Sequence, residues 1–196
     1  MNEEIKGEFL YQGKHTTSQV PYIKDYFTNL LLNENFDTII ELGTHFAGLT
    51  YIIDDICVEN NLKKNIHTLD YAYRDYVETY LNERNISYHI LDETKEEYKI
   101  LVKKLINEGS KTLLLCDGGF KIKEFNYYSD FIKSGDIIMA HDYAVSEDIF
   151  KAEIKDKIWN WFEISLSDIK NAVEKNNLTE YNKIDFKQAA WGCFVK

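Results

Sequence analysis

The sequence predicts an α/β fold: a doubly wound, mostly parallel sheet with an antiparallel edge at its C-terminal end. Three observations carry this. Short, wholly apolar runs alternate with amphipathic segments along most of the chain. Strands that are apolar throughout belong to a parallel sheet covered on both faces, and right-handed crossovers wind the connecting helices onto both sides. The last segments, Trp159 to Ile164 and Ala189 to Val195, read as two strands with a helix around Asp168 to Asn177 between them, which suits an antiparallel pair at one edge.

The elements follow in order. Pro21 suits a first helical turn, and Tyr22, Ile23, Tyr26, Phe27, Leu30 and Leu31 continue it as one stripe. Thr38 to Leu42 is a short strand of buried type, broken at Gly43. The next helix carries Leu49, Ile52, Ile53 and Ile56 on one face, with Asp54, Asp55 and Glu59 off it. Ile66 to Leu69 is the second strand, and Tyr76, Val77, Tyr80 and Leu81 mark its helix. Ser87 to Leu91 is the third strand; Leu101, Val102, Leu105 and Ile106 stripe the helix after it. Thr112 to Cys116 is the fourth strand, followed by a stripe of Phe125, Tyr128, Phe131 and Ile132. The turn Ser134-Gly135-Asp136 then leads into the fifth strand, Ile137 to Ala140.

Composition narrows the function. With 196 residues, 44 % of them hydrophobic and 29 % charged, the chain suits one domain with a real core. The expected division is an N-terminal cover segment and helix over 1–35, a binding core over 36–143 and a C-terminal edge over 144–196. The net charge is −10 and there is no basic run, so a nucleic-acid partner is not expected. No apolar run is long enough for a membrane helix, and Met1 to Lys6 is acidic and polar, unlike a secretory signal. Cys57, Cys116 and Cys193 are odd in number and form no CxxC pair, which suits reduced thiols in the cytoplasm. Cys116, in an apolar strand, reads as inert core, and Trp159, Trp161 and Trp191 read as core or dimer contacts, compatible with a homodimer.

In an open parallel sheet, ligands bind beyond the carboxyl ends of the strands. All five predicted strands end in an acid: Glu41 before Gly43-Thr44, Asp70 before Tyr71, Asp92 before Glu93, Asp117 before Gly118-Gly119, and Asp142 after His141. One such acid is ordinary turn chemistry; the set points to a site. The glycine pattern, Glu41-x-Gly43 with Gly48 opening the helix, is neither GxGxxG nor a P-loop. Glu41 is a poor neighbour for a pyrophosphate and a reasonable one for a cation. A carboxylate at Asp70 suits a ribose diol, since its oxygens accept two hydroxyl hydrogen bonds.

Glu41-Leu42-Gly43-Thr44, Asp70 and Asp92 resemble the S-adenosylmethionine site of class I methyltransferases. The resemblance extends to Gly13, Gln19 and Pro21 upstream, and to Cys116-Asp117-Gly118-Gly119, Gly135-Asp136, His141-Asp142-Tyr143 and Trp191-Gly192-Cys193-Phe194-Val195 downstream; it is to the cephalosporin hydroxylase-like and sugar O-methyltransferase-like group. It implies a Rossmann-like methyltransferase fold with S-adenosylmethionine held by Glu41, Gly43, Thr44, Gly48, Asp70, Tyr71, Asp92 and Asp117. It also implies a divalent metal in some relatives, at positions that fall here on Asp117, His141 and Asp142. A hard cation such as Mg²⁺ wants oxygen ligands, whereas His141, where relatives often carry an acid, shifts preference toward Mn²⁺ or another transition metal. Relatives often carry a histidine where this chain has Phe120, followed here by Lys121. His141 is open between metal ligand, general base and hydrogen-bonded core residue; Lys121 is open between a solvated helix-start lysine and a base, the latter requiring a lowered pKa.

The function that follows is methyl transfer from S-adenosylmethionine to a hydroxyl of a small or sugar-like acceptor, with His141, Asp142 and Lys121 as catalytic candidates. Two other readings stand beside it. An NAD-binding oxidoreductase keeps the fold, but Glu41-x-Gly43 lacks the third glycine. A non-catalytic module that binds a partner protein would explain Phe120 and His141, but the acids at the strand ends speak against it.

Overall fold

The computed structural model describes residues 7–196; Met1 to Lys6, read above as unlike a signal, lie outside them. The chain opens with a hairpin of β1 (Phe9–Tyr11) and β2 (His15–Thr17), turned by Gln12 and Gly13, both at positive φ. Two three-residue strands leave too short a pattern to read in sequence. There follow α1 (Ile23–Asn33), β3 (Thr38–Leu42), α2 (Gly48–Glu59), β4 (Asn65–Asp70), α3 (Asp75–Glu83) and β5 (Ser87–Ile90). The second half runs through α4 (Glu96–Glu108), β6 (Thr112–Cys116), α5 (Lys121–Tyr128), β7 (Ile137–Ala140) and β8 (Tyr143–Ala144). A short α6 (Glu147–Ile149) passes into a π-turn, Phe150–Ile154, and then come β9 (Ile164–Ser165), α7 (Leu166–Lys175), β10 (Thr179–Glu180) and β11 (Gly192–Val195).

Seven strands form one sheet in the order β10-β11-β7-β6-β3-β4-β5. The run from β7 to β5 is parallel, while β11 lies antiparallel on β7 and β10 antiparallel on β11. Chain order reverses direction between β3 and β6, which makes their carboxyl ends the switch point where a ligand crevice opens.

The central strands are apolar throughout because alternate residues feed two cores. Ile39, Leu113, Leu115, Ile137 and Met139 pack with Phe27 and Leu30 of α1, Ile52 and Ile56 of α2, and Val77 and Leu81 of α3. Their neighbours Ile40, Leu42, Leu114, Cys116 and Ile138 pack with Val102 and Ile106 of α4, Phe125 of α5 and Ile169 of α7. No described helix is long and apolar enough to cross a membrane.

Three expectations need correction. The run Trp159 to Ile164 is not an edge strand: only Ile164–Ser165 pairs, in parallel with β8, and the edge partner of β11 is β10. The Trp159 indole is drawn inward to donate to Asp142, which takes this segment off the sheet. The strand from Ala189 starts only at Gly192, because Phe186–Ala189 is a 3₁₀ turn and Ala190 sits at φ 56°. Asp54 and Asp55 are not off the packed face of α2; both are buried, and Arg84 donates to them at 2.7 and 2.8 Å.

Candidate active site

A cavity of about 390 Å³ opens at the switch point, over the ends of β3, β4, β6 and β7. Its floor is set by Gly43, at φ 96°. A Cβ there would stand 2.4 Å from the Asp117 carbonyl oxygen and 2.8 Å from the Gly118 Cα, so only glycine lets the first turn pass beside the exit of β6. The backbone N–H groups of Gly43 and Thr44 both donate to Leu69 O, at 2.8 and 3.1 Å, tying the turn to β4. Gly48 serves a different contact: a Cβ would meet the Thr17 Cβ at 2.3 Å, so this glycine seats the N-terminal hairpin against α2.

Asp70 sits buried at the end of β4. One carboxylate oxygen accepts from His45 N and the other from Ala72 N, each at 2.8 Å, and the Arg74 guanidinium lies 3.4 Å away. Each oxygen keeps lone-pair capacity for a ligand. Tyr71 stands largely exposed at the mouth. Asp92 is not brought in: it is exposed and spends one oxygen on Thr94 N and Oγ1 at 2.9 and 2.6 Å, while Glu93 lines the cavity beside Tyr98.

Glu41 is buried and accepts from Thr50 Oγ1 and, at 2.7 Å, from Thr68 Oγ1. Burial pushes its pKa up to about 8, against the two threonine hydrogen bonds and with help from the charges of Asp117 and Asp70. Burial therefore favours the protonated form of Glu41 at neutral pH.

The inner end is a compact acid–base cluster. His141 Nδ1 lies 3.1 Å from Asp117 Oδ1 and 3.7 Å from Asp142 Oδ1. The imidazole is clamped between Trp191, stacked at 4.8 Å, and Trp159, tilted at 4.9 Å. Its Nε2 is buried with no hydrogen-bond partner among the described residues. Burial works against a charge on His141, but Asp117 and Asp142 outweigh it and raise its pKa. Asp142, at φ 57°, is correspondingly lowered: His141 and Lys121 outweigh the cost of its burial.

Lys121, the first residue of α5, is 8 % exposed and lies in the same cluster. Its Nζ is 2.9 Å from Asp142 Oδ2, 2.9 Å from Glu163 Oε2 and 3.8 Å from Asp117 Oδ1. Burial opposes the ammonium, yet these carboxylates prevail and its pKa is raised. The base role required a lowered pKa, so Lys121 is a fixed cation and neither a base nor a solvated surface lysine.

Asp117, His141 and Asp142 offer ligand atoms that all lie within 4.8 Å of one another. A divalent ion needs free oxygen lone pairs directed at one point. Here every carboxylate oxygen of the pair already faces a donor. Asp117 Oδ1 faces His141 Nδ1 and its Oδ2 accepts from Gln19 Nε2 at 3.1 Å; Asp142 Oδ1 accepts from Trp159 Nε1 at 2.5 Å and its Oδ2 faces the Lys121 ammonium. The residues as arranged do not fit a resident divalent ion.

Sequence reasoning missed Gln19, Glu93, Trp159, Glu163 and Trp191 as parts of this site, and assigned the tryptophans to core or dimer contacts. Gln19 was visible only as part of a resemblance. Trp159 and Glu163 come from a loop whose path no periodicity marks.

No family model matches the chain, and no curated protein matches it. Solved structures do. The fold is that of the class I methyltransferases. CmcI-N160 in its apo form superimposes with a TM-score of 0.66 at 10 % identity, over 96 % of this chain and 76 % of that one. CmcI-D160 with Mg-SAM gives 0.63 at 12 % identity, over 96 % and 77 %. An O-methyltransferase family protein from Burkholderia thailandensis gives 0.57 at 9 % identity, over 89 % and 55 %. Each likeness bears on the fold.

Proposed function

We propose that the protein transfers a methyl group from S-adenosylmethionine to a hydroxyl of a small or sugar-like acceptor. One observation carries the reading: a single cavity joins Asp70, Gly43 and Thr44 at one end to the Asp117–His141 pair at the other. The first end fits the donor. It offers a glycine turn that backbone alone can line, and a buried carboxylate with capacity for a diol. Gly43, Thr44, Asp70 and Glu93 would hold the donor, which supplies an electrophilic methyl carbon when bound.

The chain's own residues then have to align an acceptor oxygen and remove one proton. Among Asp117, His141, Asp142 and Lys121, Asp117 is the most exposed, at 16 % of its side chain against 2 % for His141. It meets the acceptor hydroxyl first and takes its proton. His141 behind it fixes the carboxylate through Nδ1 and, held by two indoles, keeps that geometry. The Lys121 ammonium stabilises negative charge developing on the acceptor oxygen. The indoles of Trp159 and Trp191 exclude water from the pair. The acid–base pair favours catalysis over the partner-binding alternative.

Calorimetric titration with S-adenosylmethionine and S-adenosylhomocysteine tests this. Micromolar binding that disappears in a folded Asp70→Ala variant is expected. With an acceptor in hand, Asp117→Asn should lower kcat by about 10²- to 10⁴-fold. Absence of binding by either compound overturns the reading.

A further inference from the structure

We propose that Lys121 is an internal cation that does the work a divalent metal would do in this acid cluster, and that its ammonium keeps the cluster closed to metals. The cluster is built like a cation site, with Asp117, His141 and Asp142 converging from the ends of two neighbouring strands, β6 and β7. A third carboxylate, Glu163, joins from the loop before β9. A cation already stands there. Nζ lies 2.9 Å from two of the three carboxylates and 3.8 Å from the other.

The lysine is delivered by the fold and is not a passing surface chain. It begins α5, whose Phe125 and Tyr128 are locked in the core one and two turns on, and only 8 % of it is exposed. An ammonium has three N–H donors. Asp142 and Glu163 account for two. Asp117, at 3.8 Å, is beyond hydrogen-bond length, so the third remains for an oxygen in the cavity, which Lys121 lines. One charge and one directed donor are what an acceptor oxygen needs from a metal. That use of the donor rests on the methyl-transfer reading; the closure of the site to metals does not.

Mn²⁺ binding, read by electron paramagnetic resonance with no methyl donor present, tests the closure. Wild type should leave Mn²⁺ free at 1 mM or bind it no tighter than that. Lys121→Ala should gain a single site at least tenfold tighter, and Asp142→Asn in that background should remove it. Should Lys121→Ala not fold, Lys121→Gln removes the charge with less loss of volume and carries the same expectation. Micromolar Mn²⁺ binding by wild type that Asp142→Asn abolishes overturns the proposal, as does a folded, charge-neutral variant that gains no site. Failure of the protein to bind S-adenosylmethionine leaves both results readable.

Discussion

The side-chain amide of Gln19 accepts a hydrogen bond from Trp191 Nε1 at 2.9 Å, and through its other atom donates to Asp117 Oδ2 at 3.1 Å. A residue before the first helix thus ties the final strand region to the Asp117 carboxylate. Gln19 is 2 % exposed and Trp191 is fully buried, so the indole N–H has no water to turn to. Gln19→Leu leaves the buried Trp191 N–H unsatisfied and takes a donor from Asp117 Oδ2. The expected cost is about 1–3 kcal/mol, seen as a lower thermal midpoint. Turnover should fall further than the stability loss accounts for, because Asp117 loses an orienting donor.

Gly43→Ala should be among the most damaging single-methyl changes in the chain. The position combines φ 96° with a backbone oxygen 2.4 Å from where the methyl would sit. Neither neighbour is a flexible side chain that can move away. A loss of about 2–4 kcal/mol is expected from strain and displacement of the β6 exit, measured by urea denaturation. Gly13→Ala has φ 68° but open space around it, and should cost less than half as much.

The sheet was legible in the sequence because its strands are short, apolar runs feeding cores on both faces; Thr38–Leu42, Thr112–Cys116 and Ile137–Ala140 fall where the pattern puts them. The end of β3 to β4 was legible for the same reason: the site must lie beyond those strands. What the sequence hid are the long-range choices. Asp92 and Glu93 are adjacent acids, and only the path of the loop decides that Glu93 turns inward. Asp54 and Asp55 look solvated on a helical projection until Arg84, from the end of α3, arrives to pair them. Lys121 looks like any helix-start lysine until three carboxylates close around it.

Arg84 makes a further test. Its Nη1 alone donates to Asp54 Oδ2 and Asp55 Oδ1, and Asp55 also accepts from Tyr11 in the hairpin at 2.9 Å. Arg84→Met leaves two buried carboxylates without their cation. The guanidinium is partly exposed, which tempers the effect; about 1–3 kcal/mol is expected at pH 8. The loss should shrink at pH 4, where Asp54, its pKa raised by burial, carries less charge. A pH-independent loss would mean that Arg84 acts through packing alone.

Glu124 predicts how stability depends on pH. Both its carboxylate oxygens are buried without a hydrogen-bond partner among the described residues, and they face Glu93, Asp117 and Lys121. Burial, reinforced by the charges of Glu93 and Asp117 and opposed by Lys121, raises its pKa from 4.5 to about 8. The folded protein therefore holds this proton more tightly than the unfolded chain does. Its contribution is intact below pH 4.5, declines as pH rises between 4.5 and 8, and stays lost above that. Glu41, raised to about 8 by burial, adds a slope of the same sign. Glu124→Gln keeps the neutral shape and removes the titration. Its unfolding free energy should match wild type near pH 4.5 and exceed it at pH 9, by an amount on the order of a few kcal/mol at most, read as a higher thermal midpoint. Equal midpoints at both pH values would show that Glu124 ionises freely in the folded state, with water or a ligand reaching it from the neighbouring cavity lined by Tyr98, Phe120 and Tyr127.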